Sequence, residues 1–159
     1  MVRLDGTFLF SELSNGYDAF ALDNNGRFTF SDQPGRDDQR SRAASLRATF
    51  SGMEGARLSS VTSASWVKSR YAYDDDWTAG SYQGFSDLDR DRTVFNQELR
   101  LDSTLTRSAL GWIDRWTLGA FLANTRETSA YTNSDPDNIR GLRTRYSAGN
   151  TALFGQIAH

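Results

Sequence analysis

TVFNQELRL, residues 93–101, alternates apolar and polar side chains over most of its length. Successive residues of a β-strand point to opposite faces of the sheet, so Phe95, Leu99 and Leu101 share one face. The opposite face carries polar side chains, namely Asn96, Glu98, Arg100 and Asp102. Such strands occur in soluble sheets, with the charged face in water, and in membrane β-barrels, with the apolar face toward lipid. The stretch therefore predicts a strand, and the surroundings of its apolar face determine what the protein does.

Composition sets limits on the class of protein. The chain has 159 residues, enough for one domain or for part of a larger one. Hydrophobic residues make up 38% and the mean hydropathy is -0.60, and no apolar run approaches the ~20 residues of a spanning helix. Barrel strands are compatible with these values, because only every second residue needs to be apolar. The net charge of -2 is scattered, so no basic stripe indicates binding to nucleic acid.

Several kinds of reactive site are disfavoured. The chain has no cysteine, which excludes disulfides, thiolate metal sites and cysteine nucleophiles. Its one histidine, His159, is the last residue, so a Ser-His-Asp triad or a multi-histidine metal site would depend on a terminus. Residues 1–20 contain no signal-peptide pattern. We expect either a cytosolic protein or a piece whose export signal lies elsewhere, with no catalytic residue, cofactor or metal.

The rest of the chain repeats the strand pattern. Ala44, Leu46 and Phe50 alternate with polar residues, and no helical pattern exceeds two turns. A short hairpin is predicted over residues 17–31, because an Asn-Gly pair at residues 25–26 separates two apolar runs. The spanning strands are then predicted at 2–12, 42–52, 57–71, 92–103, 113–125 and 146–158. This pattern predicts an all-β, antiparallel meander.

The connections are predicted to differ between the two ends of the strands. Long, polar connections fall near 13–41, 73–91 and 127–145, whereas turns near 53–55 and 104–112 are short. Transmembrane barrels have long loops on the outer side and short turns on the periplasmic side. Six strands are fewer than the ~8 of the smallest single-chain barrels. The chain is therefore expected to be a partial segment of a large transmembrane β-barrel.

Three segments resemble a known family. Residues 94–103 (VFNQELRLDS), 116–121 (WTLGAF) and 152–156 (ALFGQ) are similar, in order and spacing, to recurring barrel strands of TonB-dependent outer-membrane receptors. These family strands read F-Q-E-L-R-L-S, W-x-x-G-x-F and A-L-F-G-Q. Residues 71–77 (YAYDDDW) and 15–20 (NGYDAF) also look like segments of some members. Together the likeness covers most of residues 15–158.

The resemblance implies a receptor fragment. The signal peptide, energy-coupling box, plug domain and final aromatic-ended strand of a complete receptor are not found in the sequence. The full-length protein would lie in the outer membrane of a Gram-negative bacterium, in contact with lipid. It would bind a scarce small molecule (a siderophore, cobalamin or carbohydrate) and release it inward when TonB acts on the plug. Such transport changes no chemical bond, so the resemblance implies no enzyme activity.

Residue roles follow from this interpretation. The lipid face would consist of Ala44, Leu46, Phe50, Phe95, Leu99 and Leu101. The lumen face would carry Arg47, Glu98 and Arg100. Exposed aromatic and acidic residues on a long loop suit ligand capture, so the predicted ligand-binding residues are Tyr73, Asp74, Asp76, Trp77 and Tyr82. The alternatives for this loop are aromatics of the membrane-interface girdle or a solvated rim.

Other functions find little support in the sequence. Residues 87–98 partly match a calcium-binding loop, but Arg92 occupies the position that requires glycine, so an EF-hand is rejected. A looser Ca²⁺ site near Asp74–Asp76 is disfavoured. No glutamate pair is placed as a glycosidase would need. Two further alternatives are a soluble β-sandwich that binds carbohydrate and a complete eight-stranded barrel in which residues 17–23 and 26–31 also span.

Overall fold

The chain forms a single six-stranded sheet. The computed structural model describes residues 1–17, 20–23, 27–104 and 115–158. The strands are β1 (Val2–Ser14), β2 (Arg36–Met53), β3 (Ala56–Asp74), β4 (Phe85–Ser103), β5 (Arg115–Asp135) and β6 (Asn138–Ala158). Each pairs antiparallel with its neighbours in the chain, in the order β1-β2-β3-β4-β5-β6. The predicted all-β fold and antiparallel meander are confirmed. The described residues contain no helix that is both long and apolar enough to cross a membrane.

All six strands lie where they were predicted, but five of them are longer by several residues at the same end of the sheet. Residues 36–41, 85–91, 126–135 and 138–145 were predicted to lie outside the strands and are in fact strand. These extensions are charged and polar, which is why their sequence resembles loops. Their charges pair across strands, as in the Arg70–Asp87 ion pair at 2.5 Å. The paired backbone and paired charges keep these polar segments extended.

The predicted connections need corresponding corrections. The loop predicted at 127–145 is wrong, because β5 and β6 continue to a tight turn at Pro136-Asp137. The other two long loops shorten to residues 15–35 and 75–84. At the opposite end, Gly55 turns β2 into β3 with a φ of 73°, a conformation that glycine adopts without strain. The turn predicted at 104–112 falls almost entirely outside the described residues.

The predicted hairpin at 17–31 is also wrong. Residues 20–23 and 27–35 contain no strand, and the Asn-Gly pair at its centre lies outside the described residues. Within the described part of the chain, the sheet therefore has six strands rather than the eight of the small-barrel alternative.

The register aligns side chains into rows across all six strands. One such row contains Leu4, Ala48, Ser60, Leu99, Ala120 and Leu153. We call the surface that carries this row the front face; it comprises the even-numbered residues of β1, β2, β3 and β5 and the odd-numbered residues of β4 and β6. The remaining strand residues form the back face. The six residues predicted to share a lipid face all lie on the front face.

The sheet has almost no core. Among the described residues, only Ala21 and Ala72 are buried apolar side chains. The accessible surface is 11389 Å², whereas a globular protein of this mass, 17.8 kDa, exposes about 8,000 Å². The excess is what a sheet without a second packed layer would show.

Candidate functional site

The half of the front face next to the β2–β3 turn is apolar. Its large side chains are exposed, with Leu46 at 51%, Leu99 at 47% and Leu118 at 56% of full exposure. We call this surface the apolar band; it consists of Val2, Leu4, Phe8, Phe10, Ala44, Leu46, Ala48, Phe50, Leu58, Ala64, Trp66, Phe95, Leu99, Leu101, Trp116, Leu118, Ala120, Leu122, Leu153 and Ile157.

The height of the apolar band is defined by its longest strands. The band extends from Val2 to Phe10 in β1 and from Leu58 to Trp66 in β3, which is about 26 Å along a strand. Strands tilted at about 40° would reduce this to about 20 Å across a bilayer. The lipid-facing band of known barrels is about 25 Å tall. The apolar band is therefore close to the size that lipid contact requires.

Three polar side chains in the middle of the apolar band bond to one another. The Thr62 hydroxyl donates to Gln97 Oε1 at 2.5 Å, and Gln97 Nε2 donates to Ser60 Oγ at 2.9 Å and to the Glu98 carbonyl at 3.1 Å. Unsatisfied polar groups are costly in hydrocarbon. The Gln97 amide is thus supplied with partners by its own sheet.

The other half of the front face is charged. We call it the charged band; it consists of Glu12, Arg36, Asp38, Arg40, Arg42, Lys68, Arg70, Asp87, Asp89, Asp91, Arg126, Arg143 and Arg145. Ion pairs join Arg40 to Glu12 and, at 3.2 Å, Lys68 to Asp91. A groove of about 530 Å³ crosses this band. Arg42, Arg126, Arg143 and Arg145 make no ion pair with any described residue.

The back face is mainly polar, and most of its central side chains are small. Ser63 and Asn96 are half-buried and line a groove of about 180 Å³, as expected if this face lies inside a curved sheet. The three residues predicted to face the lumen, Arg47, Glu98 and Arg100, all lie here and line a second groove of about 400 Å³. Whether the back face surrounds a lumen stays a prediction.

Asp74, one of the predicted ligand-binding residues, holds the loops beyond the charged band together. Its side chain has no exposed surface. Its two carboxylate oxygens accept hydrogen bonds from the backbone amides of Asp32 at 2.9 Å and Asp76 at 3.2 Å. Gln33 and Gln83 join the same two loops through a side-chain hydrogen bond of 2.6 Å. A carboxylate used in this way is inaccessible to a ligand.

The neighbouring acids are also engaged by the protein. Asp75 accepts hydrogen bonds from the Ser86 hydroxyl and from Asn133 Nδ2, both at 2.7 Å. These contacts attach the 75–84 loop to β4 and β5. Asp76 accepts from the backbone amide of Thr78 at 3.1 Å and from its hydroxyl at 3.0 Å.

Two ionisable groups in this loop have shifted acidities. The hydrogen bond from the Thr78 amide lowers the pKa of the Asp76 carboxyl below its ordinary value, because it stabilises the charged form. Desolvation raises the pKa of the Tyr82 hydroxyl, and the negative charges of Asp75 and Asp135 raise it further. At neutral pH, Asp76 is therefore an anion and Tyr82 a neutral hydrogen-bonding group.

Aromatic rings meet beside these acids. Tyr73 and Trp77 are parallel within 5°, with ring centroids 5.9 Å apart, and Phe20 lies 4.7 Å from Trp77 at a tilt of 55°. Tyr71 extends the group, 5.4 Å from Tyr73. We call these four residues the aromatic cluster. Phe20 is 50% and Tyr71 39% exposed, so the cluster offers ring surface on which a ligand could stack.

The predicted ligand-binding residues thus have different environments. Tyr73 and Trp77 come together in the aromatic cluster, whereas Tyr82 packs its ring over Gly84 within the same loop. Phe20 was not predicted, because it reaches Trp77 from a different loop and no local pattern indicates such a contact. Trp77 itself has a φ of 51°, which is uncommon for a non-glycine residue and marks a constrained turn.

Metal ligation and similarity to other proteins give no further assignment. In the part of the chain that the structure describes, no three acidic or histidine side chains are grouped so as to hold a metal ion. Comparison with protein-family models, with curated proteins and with solved structures finds no match to this chain.

Proposed function

We propose that this chain forms part of the wall of a membrane β-barrel and that the apolar band contacts lipid. The observation that carries the proposal is the exposure of the apolar band on a sheet that has no second layer among its described residues. In water this surface would promote aggregation. In a bilayer the same surface is stable, and the rows of backbone hydrogen bonds satisfy the polar groups within each strand pair.

The two edges of the sheet bear on how the proposed barrel would close. β1 and β6 each pair on one side only within the described structure. Unpaired edges are excluded from hydrocarbon, so further strands must pair with both of them and close the barrel. A barrel larger than these six strands would place the back face around a polar lumen, where Arg47, Glu98 and Arg100 would lie.

The transport function rests on the family resemblance together with the aromatic cluster. We propose a TonB-dependent outer-membrane receptor that takes up a scarce ligand such as a siderophore, cobalamin or carbohydrate. The aromatic cluster lies at the end of the sheet where the two long described loops meet, with Tyr71 and Tyr73 on the back face of β3. Tyr73 and Trp77 would stack on a ring of the ligand, and Tyr82 would donate a hydrogen bond. The role proposed for Asp74 is to hold the loops in place.

The membrane part of the proposal is tested by the solution behaviour of the chain. Expressed alone and refolded, it should be strand-rich and dispersed in neutral detergent and should aggregate when the detergent is removed. Sedimentation and circular dichroism measure both states. A monomer that stays soluble without detergent and melts sharply would overturn the proposal and favour a soluble binding module.

Ligand capture is tested by fluorescence of Trp77 in a refolded chain whose other three tryptophans are replaced by phenylalanine. A ferric siderophore, cyanocobalamin and a maltooligosaccharide are titrated separately against this chain, which is wild type elsewhere, and against the same chain with Tyr73→Ala. One of the three should change the emission with saturation, and Tyr73→Ala should weaken the affinity for it about fivefold, the effect of losing one stacking contact of about 1 kcal/mol. Phe8→Ala, in the apolar band, is the matched aromatic control and should bind as wild type does.

A further inference from the structure

Three arginines on the β5–β6 hairpin form a group within the charged band. Arg145 is two residues from Ser147, the partner of Arg126 across the strand pair, and Arg143 is the next front-face residue of β6. Adjacent members are therefore about 7 Å apart and the two outer members, Arg126 and Arg143, about 14 Å apart, distances that the long arginine side chains can bridge. We call Arg126, Arg143 and Arg145 the arginine triad.

The arginine triad is uncompensated, whereas Arg36, Arg40, Lys68 and Arg70 of the charged band form ion pairs. None of its members makes an ion pair with a described residue. The charged-band portions of β5 and β6 carry no acid on the front face. The acids that face the triad from β4 are Asp89 and Asp91, and they are paired with Arg70 at 3.8 Å and with Lys68 at 3.2 Å. Excess positive charge therefore remains at the triad.

Hydroxyl groups complete the surroundings. Arg145 faces Thr128 and Arg126 faces Ser147 across the strand pair, so two hydroxyl donors lie among the three guanidinium groups. Guanidinium groups bind phosphate through paired N–H donors. A dianionic phosphate would satisfy both the charge and the donors of this surface.

The position of the triad indicates where the phosphate comes from. Arg126 lies four residues beyond Leu122, the last residue of the apolar band in β5, which is about 13 Å along a strand. With a tilt of about 40° this places Arg126 about 10 Å above the edge of the apolar band in β5, whereas in β1 and β3 the band ends with Phe10 and Trp66, in the same register row as Arg126. The headgroup layer extends about 5–8 Å beyond the hydrocarbon, which lies between these two values, and the front face is the one proposed to contact lipid.

We infer that the arginine triad binds the phosphate group of an anionic lipid in the leaflet next to the charged band. The inference rests on the proposed membrane function, since it requires the front face to meet lipid. It adds a specific lipid contact on the outside of the barrel, separate from the ligand site proposed at the aromatic cluster.

The test uses the chain refolded in neutral detergent micelles and titrated with short-chain phosphatidic acid, with binding followed by native mass spectrometry. The triple variant Arg126→Gln, Arg143→Gln, Arg145→Gln should bind about 100-fold more weakly than wild type, since each arginine near anionic lipid contributes about 1 kcal/mol. The triple variant Arg47→Gln, Arg115→Gln, Arg140→Gln removes equal charge from the back face and should keep the wild-type affinity. Equal affinities of the triad variant and wild type would overturn the inference.

Two further titrations test which chemical groups are responsible for binding. Lysine at all three triad positions keeps the charge without the paired donors and should lose about tenfold in affinity, the effect of about 1.4 kcal/mol. Inorganic phosphate alone should bind far more weakly than phosphatidic acid; comparable affinities would overturn the assignment to lipid. The membrane proposal itself is tested by a different result, since it fails if the chain stays soluble without detergent.

Discussion

The two halves of the front face are built on the same strands and yet have opposite chemistry. In β2 the apolar band contains Ala44 and Leu46, whereas a few residues earlier the charged band contains Arg40 and Arg42. Both halves have the same pairing and the same alternation. The back face is mainly polar in both, although each half also carries a few apolar residues. What changes along a strand is therefore the chemistry of its front face, and the level of the change shifts across the sheet, from the register row of Phe10 in β1 to that of Leu122 in β5.

This comparison separates secondary structure from environment. A strand in a soluble sandwich would need apolar front-face residues over its whole length to cover a core. Here the apolar part is limited to roughly the thickness of a membrane, and the charged part continues as strand beyond it. The charged band is what would emerge from the bilayer into water.

The largest expected effect comes from placing a charge in the apolar band. Leu46 lies in its central row, between Gly6 and Thr62, and Leu46→Arg should lower the free energy of unfolding in vesicles by about 2–4 kcal/mol. Urea unfolding monitored by tryptophan fluorescence measures the loss. Thr132→Arg, on the same face of the charged band, is the control and should cost no more than about 1 kcal/mol. Equal losses at both positions would show that the halves do not differ in solvent.

A smaller effect is expected from the polar group inside the apolar band. Thr62→Val removes the donor to Gln97 Oε1 and should destabilise the chain in vesicles by about 1 kcal/mol. The double variant Thr62→Val, Gln97→Leu removes both polar partners and should recover most of that loss. The same urea titration applies. A double variant less stable than Thr62→Val would contradict a hydrocarbon environment.

Removing an ion pair of the charged band should lower the free energy of unfolding by less than either change in the apolar band. Lys68 and Asp91 are 75% and 52% exposed, so Lys68→Gln should cost no more than about 0.5 kcal/mol. Because the proposal places this half in water, the cost should shrink further in 1 M salt, about the concentration that shortens the screening length to 3 Å. A large, salt-independent loss in urea titrations would place Lys68 in a low-dielectric environment.

The smallest expected effect concerns pH in the loop beyond the charged band. The folded pKa of Asp76 lies below its ordinary value of 3.8. Its stabilising contribution is therefore complete above that value and is lost as the pH falls through the lower, folded pKa. In a chain that retains Trp77 as its one tryptophan, the emission of Trp77, one residue from Asp76, should change in acid. The same titration of Asp76→Asn should lack this transition, and its persistence there would assign it to another group.

Side-chain alternation was sufficient to predict the faces of the sheet. Phe95 and Leu99 alternate with Glu98 and Arg100, and the register confirms that these pairs lie on opposite faces. The order of the six strands followed as well, because each turn is local. Strand length was not predictable in the same way, since a charged strand and a polar loop have the same composition. Residues 138–145 were assigned to a loop for that reason.

The features of the site that the sequence did not predict depend on contacts between distant segments. The Phe20–Trp77 contact joins two loops, and the arginine triad is visible only when the register places Arg126 beside Arg145. The wrong prediction for Asp74 has the same cause. Its sequence context indicated an exposed ligand-binding residue, whereas its carboxylate is buried and accepts hydrogen bonds from two backbone amides, one of them from the distant residue Asp32.

The central claim, that the apolar band contacts lipid, is tested most directly by tryptophan quenching in vesicles of brominated phosphatidylcholine. Two variants each retain one tryptophan, Trp66 at the edge of the apolar band or Trp77 in the aromatic cluster, with the other three tryptophans replaced by phenylalanine. We expect strong quenching of Trp66 by the brominated chains and little quenching of Trp77. Quenching of Trp66 no stronger than that of Trp77 would contradict the account.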